Sequence, residues 1–423
     1  METLNFKGQK IHMIGIKGVG MTALVEILLN SGAEITGSDI KEEFHTDRVL
    51  KRLKIKPLDF NAKNIFSKID LVVYSSAYGN NHIERQAAEK LGIRQISYAE
   101  ALAGIFNQKQ GIMIAGTHGK TTATALLGHI MIESGFDPTV LAGGTVINWQ
   151  SNARIGKSDW MVIEGDEYQK KFLNFKPSYL LITNVDYDHP DTFPDKASYQ
   201  AAFEALKAKT RLKYFDSGGN LPKIDPGNLI GRHILENIGL IMKLTRELGI
   251  ADGDVQKAVK SFLGVRRRCE IYYQSEKLAV MDDYAHHPAE IKATLQALKE
   301  RYPEWRIKVI FQPHTFSRTK AFFDDFIDSF GKADEVMLAS TYSSARESEK
   351  TDEDIDKLLA EKLAKAHPSA RFVGAIGAFD EEQFKKILGS EAKTILLTMG
   401  AGDVWQIARK LTELATRWPS DKK

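Results

Sequence analysis

Cysteine is nearly missing from this chain: among 423 residues only Cys269 is present. That excludes an intrachain disulfide and any zinc site built on a CxxC pair, and it suits a reducing compartment, so a cytoplasmic location is expected. No run of about 18 uninterrupted apolar residues occurs, and the opening METLNFKGQK has no apolar core, so neither a transmembrane helix nor a signal peptide is expected. Charge of one sign is also missing. Lys plus Arg number 58 against 55 Asp plus Glu, a net +3 without a basic block, so no nucleic-acid or membrane partner is expected and any bound anion must be gripped locally. There is no internal repeat and no low-complexity tract, and the closing WPSDKK reads as a frayed tail. With 43% hydrophobic and 27% charged residues, the chain is too apolar for disorder and too long for one core; two or three domains are expected.

Short β-branched runs alternate with longer helical patterns, the signature of α/β folds with parallel sheets. The strand candidates are IHMIGI (11–16), LVVYSSA (71–77), GIMIAGT (111–117), WMVIEGDE (160–167), YLLITNVD (179–186), LAVMDDYAHH (278–287), IKVIFQPH (307–314), EVMLAST (335–341) and TILLTMGAG (394–402). Nearly all begin apolar and finish on Gly, Ser, Thr, Asp, Glu or His, at the end where open α/β sheets bind ligands. Breaks in the pattern divide the chain into residues 1–107, 108–263 and 264–423, with one long loop signal at 216–227 (DSGGNLPKIDPG).

The segment IMIAGTHGKTTATALLGHI is the most informative. A strand stops at Ala115, a glycine turn follows, and Lys120 opens an amphipathic helix. Backbone amides over Gly116, Thr117, His118, Gly119 and Lys120 form a cradle for polyphosphate, Lys120 supplies the neutralising charge, and the Thr121 hydroxyl suits Mg²⁺. Ile114 stands where the common P-loop pattern has its first glycine. Downstream strand ends offer Glu164 as a Mg²⁺ ligand, with Asp166 and Glu167 nearby, and His189 as a ligand to a second ion or a phosphate contact.

The first strand runs into Gly15, Gly18 and Gly20, and an acid, Asp39, follows Gly37-Ser38 about twenty residues on. That pattern fits a nucleotide-diphosphate site and also, more weakly, a nicotinamide cofactor. Ser75 and Ser76 add hydroxyl donors at the next strand tip. The last third carries RRR (266–268), DDYAHHP (282–288), QPH (312–314) with Arg318, and GAGD (400–403). Adjacent His286 and His287 point different ways, which disfavours a zinc cage, and the fork of Arg318 suits a carboxylate.

The ordered set GIKGVGM, GTHGKTT, EGDEY, TNVDYDH, GVRRRCE, DDYAHHP, FQPHTFSRT and GAGD resembles the Mur ligase family along essentially the whole chain, in its alanine-adding branch. The resemblance implies a three-domain α/β protein. Residues 1–107 would be a Rossmann-like domain binding UDP-N-acetylmuramate, 108–263 a shortened P-loop ATPase-like sheet binding ATP, and 264–423 a Rossmann-like domain that closes over both and admits L-alanine. It implies ATP-dependent amide formation through an acyl phosphate, in peptidoglycan precursor synthesis, with Mg²⁺ and ATP required and the protein a monomer or homodimer.

Residue by residue, it implies that Gly18, Val19, Gly20 and Met21 cradle the UDP pyrophosphate and that Ser38 and Asp39 lie toward uridine. Thr122 joins the P-loop contacts, Asn237 lies near adenine, Arg268 on the ATP phosphates and Asp283 on the ribose. Lys120, Glu164, His189 and His286 are the expected catalytic set, with Thr121, Glu164 and His189 on the metal and Tyr284, His286 and Arg318 facing the amino acid or acyl phosphate.

The chain departs from the family pattern in four places. EGDEY replaces EADES or EADEY, Ile234 replaces the first Asn of GxHNxxN, Thr315 stands where some members have Arg, and several strands usual between 203 and 231 are missing. Three other readings predict different outcomes. A recycling ligase would prefer the L-Ala-γ-D-Glu-diaminopimelate tripeptide as amine, a nonenzymatic UDP-sugar sensor would lack Mg²⁺-dependent ATP turnover, and an NAD oxidoreductase would bind nicotinamide.

Overall fold

The computed structural model describes residues 5–417 apart from 43, 45, 190, 191, 228, 343–352, 368, 379–381 and 383–391; the WPSDKK segment lies outside them. Two compact units are formed, Met1–Gly227 with Leu235–Leu263 and Asn228–Ile234 with Gly264–Lys423.

The first unit holds two sheets. One consists of β1 (Lys10–Ile14), β2 (Glu34–Ser38), β3 (Leu71–Tyr74) and β4 (Arg94–Ser97), all parallel in the order β2-β1-β3-β4. The other consists of β5 (Gln110–Ala115), β6 (Thr139–Val146), β7 (Ser151–Arg154), β8 (Trp160–Glu164), β9 (Tyr179–Ile182) and β10 (Lys213–Asp216). Its order is β10-β9-β5-β8-β6-β7, and only the β6–β7 pair is antiparallel. The second unit carries β11 (Glu270–Gln274), β12 (Leu278–Asp283), β13 (Arg306–Phe311), β14 (Glu335–Ala339), β15 (Ala370–Gly374) and β16 (Thr394–Met399). These run β11-β12-β16-β13-β14-β15, parallel except for β11 against β12.

Every strand anticipated from the apolar runs is present, and each stops short of its polar end. β8 ends at Glu164, β9 at Ile182 and β12 at Asp283, so GDE (165–167), NVDYDH and YAHH lie beyond the strands at the sheet edge. The physical reason is burial: Ile112 to Ala115, Leu180 to Ile182 and Ala279 to Asp283 are buried inside the sheet, whereas Asp166, Asn184, Asp186 and Tyr284 beyond the strand ends reach the more exposed rim. The helix Lys120–Glu133 also departs from the expected amphipathic pattern, since Thr121 through Met131 are buried. It is wedged between β5, β6 and β8 on one side and the helix Asp252–Ser261 on the other, so it has no wet face in its middle.

Ile114 pairs with Glu164 and Ala115 with Ile182 across β8-β5-β9. This register brings three polar tips to one rim of the central sheet. Behind them Met113, Ala115, Ile163, Ile182, Tyr199 and Phe203 belong to one continuous core. Each large apolar side chain buried there contributes about 1.5–3 kcal/mol, which fixes the register and with it the rim.

Candidate active site

At the tip of β5 the loop Gly116–Gly119 turns into the helix Lys120–Glu133, whose N-cap is Gly119 in a left-handed conformation (φ 79°) without a capping side chain. The first-turn amides are therefore not capped by a side chain and suit an anion. Gly116 has φ 138°, and a Cβ there would lie 2.1 Å from Thr183 Oγ1 and 2.8 Å from the Asn184 carbonyl oxygen.

Residues after β9 clamp this loop. Asn184 Oδ1 accepts the His118 amide (2.8 Å), Asn184 Nδ2 donates to the His118 carbonyl (3.0 Å), and the Thr117 amide donates to the Asn184 carbonyl (3.0 Å). The Thr117 hydroxyl donates to the Asp186 carbonyl at 2.6 Å and lies 2.8 Å from the Tyr199 hydroxyl. The cradle is thus held in shape by protein contacts alone. Asn237 is buried beside it, its Nδ2 2.7 Å from where a Cβ on Gly119 would sit.

Lys120 and Thr121 face different acids. Thr121 Oγ1 donates to the Glu164 carboxylate at 2.9 and 3.1 Å, and the Gly143 amide donates to Glu164 Oε2 at 2.8 Å. Lys120 Nζ donates to the carbonyls of Gly116 (2.5 Å) and Thr117 (3.1 Å) and to Glu167 Oε1 (3.0 Å). Burial pushes the Glu167 carboxyl up, but the Lys120 charge and the contacts with His189 and Lys120 outweigh it and hold it below the usual range. His189, at φ 57°, has Nε2 3.6 Å from Glu167 and 3.7 Å from Asp188. Burial lowers its pKa, and the Glu167 contact with the charges of Asp188 and Glu167 reverses that, leaving it raised.

Among the described residues no group of three or more His, Cys, Asp or Glu is placed to hold a metal. The Thr121 hydroxyl and Glu164 carboxylate instead offer two hard oxygens side by side, a donor set that fits Mg²⁺, which keeps waters and takes phosphate oxygens. Two residues of this rim escaped the sequence reading. Glu167 stood there only as a neighbour of Glu164, and its pairing with Lys120 needs the tertiary fold. Gly143 has a weak local signal, the Gly143-Gly144 pair inside β6; a Cβ on it would come 2.4 Å from Glu164 Oε2 and 2.9 Å from Thr121 Oγ1.

In the first sheet Gly15 (φ 82°), Gly18, Gly20, Asp39 and Ser75 gather at the C-terminal ends of β1, β2 and β3. Gly18 precedes the helix Val19–Asn30 and supplies no side-chain cap; Val19 is partly exposed and Met21 is buried. Asp39 accepts the Lys17 amide (2.7 Å) and the Ile40 amide (2.8 Å). Ser38 is fully buried and donates its hydroxyl to Glu84, so that side chain faces the interior, whereas Ser76 is exposed. Tyr78, which the sequence reading missed, donates to Asp39 at 3.3 Å, and its ring fills the space a Gly15 Cβ would need.

In the second unit Asp283 accepts the Cys269 amide (2.7 Å) and the Ala285 amide (2.8 Å). The Arg268 guanidinium lies 5.2 Å from the Tyr284 ring centre. His286 Nδ1 is 3.0 Å from the Tyr284 carbonyl, and its ring centre is 5.9 Å from that of His314. Burial, reinforced by Arg318 against the pull of Glu290, pushes His286 down to about 4, so the ring is neutral at pH 7. Tyr284 and His286 are brought together, their ring centres 5.4 Å apart, and the charge of Arg318 acts on His286. Arg267, named from the sequence only within the 266–268 run and given no role there, donates to Asp282 (3.0 Å) and to the carbonyls of Gly400 and Gly402, pinning the GAGD turn.

Three family profiles match consecutive stretches: "Mur ligase family, catalytic domain" at residues 10–110, "Mur ligase middle domain" at 114–215 and "Mur ligase, glutamate ligase domain" at 267–402. The chain is 35% identical over 450 residues to a UDP-N-acetylmuramate--L-alanine ligase of Desulfitobacterium hafniense, covering 95% of this chain and 99% of that protein. It is 33% identical over 461 residues to the same-named protein of Salinibacter ruber, covering 96% and 95%. Among solved structures, the UDP-N-acetylmuramate-alanine ligase of Thermotoga maritima superposes with a TM-score of 0.80 at 26% identity, covering 96% of this chain and 99% of that one. A murein peptide ligase of Psychrobacter arcticus gives 0.65 at 20% identity over 98% and 100%, a likeness of fold alone.

Proposed function

The chain belongs to the Mur ligase family, and from that premise we propose that it is an ATP-dependent ligase joining L-alanine to the carboxylate of UDP-N-acetylmuramate, acting in the cytoplasm. The observation that carries this reading is the end-to-end similarity to ligases of that name, 35% identical over 95% of the chain. The rim of the central sheet supports it with a phosphate cradle of the kind an ATP-dependent reaction needs.

The chemistry accounts for the residue types. A carboxylate must attack the γ-phosphate of ATP, so two anions have to be brought together, and catalysis consists of positioning and charge compensation. The amides of the Gly116–Lys120 loop bind the phosphates and Lys120 neutralises them. Thr121 and Glu164, with His189, would hold Mg²⁺, which supplies further charge compensation across the phosphates. The attack gives an acyl phosphate and ADP. The L-alanine amine then adds to the acyl carbon, and the carbon–oxygen bond breaks to release phosphate. Arg318 takes the L-alanine carboxylate through its fork, and His286, neutral at pH 7, serves the same end of the substrate. The glycines and Asp39 at the tips of β1 and β2 bind the UDP moiety.

A coupled phosphate-release assay checks the reading. Release is expected only when UDP-N-acetylmuramate, Mg²⁺-ATP and L-alanine are all present, with L-alanine favoured over L-serine, glycine and the tripeptide. Turnover that prefers the tripeptide, or that ignores the UDP-sugar, contradicts it.

A further inference from the structure

Glu167 does not belong to the phosphate cradle, yet it is the most deeply buried acid on this rim, 2% exposed. Its carboxylate lies 3.0 Å from Lys120 Nζ through either oxygen. Lysine has three donors, and those of Lys120 are spent inside the protein, on Gly116 O, Thr117 O and Glu167. The side chain curls back over its own loop, so the cation meant for a nucleotide is already neutralised by a carboxylate. A charge-assisted bond of this kind, shielded from water, has to be given up before Lys120 reaches a phosphate. The same carboxylate faces His189 Nε2 at 3.6 Å, so in the metal-free protein Glu167 keeps a partner when Lys120 leaves and is not stranded as a bare buried charge.

We propose that Glu167 is a positioning residue that parks Lys120 while the cradle is empty and releases it to the incoming polyphosphate, so that nucleotide binding is a competition against the protein's own carboxylate. The proposal rests on the ATP site assigned above. It makes a prediction opposite in sign to that for an ordinary contact residue: neutralising Glu167 tightens nucleotide binding.

Calorimetric titration of the full-length protein with ADP, without divalent metal, tests this on wild type and on Glu167→Gln, which keeps the side chain's shape. The variant is expected to bind ADP roughly three- to tenfold more tightly, the scale of one weakened charge-assisted bond. In turnover the KM for ATP is expected to fall while the KM values for UDP-N-acetylmuramate and L-alanine stay put, a split that a merely structural role does not give. Equal or weaker ADP binding overturns the proposal, whereas failure of the wild type to bind ADP at all overturns the assignment of the ATP site instead. A crystal structure of the wild-type protein with ADP supplies a readout that does not depend on the variant folding. Lys120 Nζ is expected on a phosphate oxygen and away from Glu167, and a retained Lys120–Glu167 pair in that complex overturns the proposal.

Discussion

Lys120 and His286 show how far single side chains can be read in advance. Lys120 and Thr121 were legible because one contiguous motif holds a strand end, a glycine turn and a helix start, and the structure keeps them together at one rim. Lys120→Ala is expected to abolish ADP formation, a loss of at least about a thousandfold for a group stabilising the transferring phosphoryl. UDP-sugar binding, measured by calorimetry, is expected to remain within about threefold of wild type; loss of both, or of neither, contradicts separate sites. The Glu167 partner was not legible, since its contact with Lys120 spans 47 positions and depends on β5 and β8 being neighbours.

His286 adds a pH dependence. Its pKa is pushed down to about 4 in the fold from an ordinary 6.5, so between these values the unfolded chain takes up a proton that the folded one refuses. Stability of the second unit is therefore highest above pH 6.5 and falls as the pH drops toward 4, by up to about 3 kcal/mol. His286→Asn removes this contribution. Urea midpoints at pH 7.5 and 4.5 are expected to lie closer together in the variant than in wild type; equal separation contradicts the assignment.

At the level of elements, long buried strands announced themselves and short edge strands did not. β5, β8, β9, β12 and β16 carry apolar runs of three or more buried residues, and β13 does so after Lys308, as burial on both faces demands. β4 (RQIS), β7 (SNAR) and β10 (KYFD) are four residues each and mostly polar or exposed, so nothing in their composition separates them from loop. β6 was hidden by the Gly143-Gly144 pair that the active rim needs, because the carboxylate of Glu164 occupies the place of a Gly143 side chain. Gly143→Ala is therefore expected to displace Glu164 from Thr121 and to raise the Mg²⁺ concentration for half-maximal turnover about ten- to a hundredfold, the range for disturbed metal-site partners. An unchanged Mg²⁺ requirement in the folded variant contradicts the placement of the metal.

For the molecule as a whole, sequence and structure agree on three mostly parallel sheets of the α/β class, each delivering polar tips at one edge. Among the described residues no helix is long and apolar enough to cross a membrane. Among the described residues, the segment after the helix Lys196–Ala208 contributes only β10 before the helix Arg232–Glu247.

The proposed reaction spends ATP on the sugar's own carboxylate. UDP-N-acetylmuramate labelled with ¹⁸O in that carboxylate, turned over with ATP and L-alanine, tests it most directly. An acyl phosphate sends one labelled oxygen into the released inorganic phosphate, because the carbon–oxygen bond that breaks is the one the carboxylate brought. Phosphate released at the rate of amide formation but free of label would contradict it.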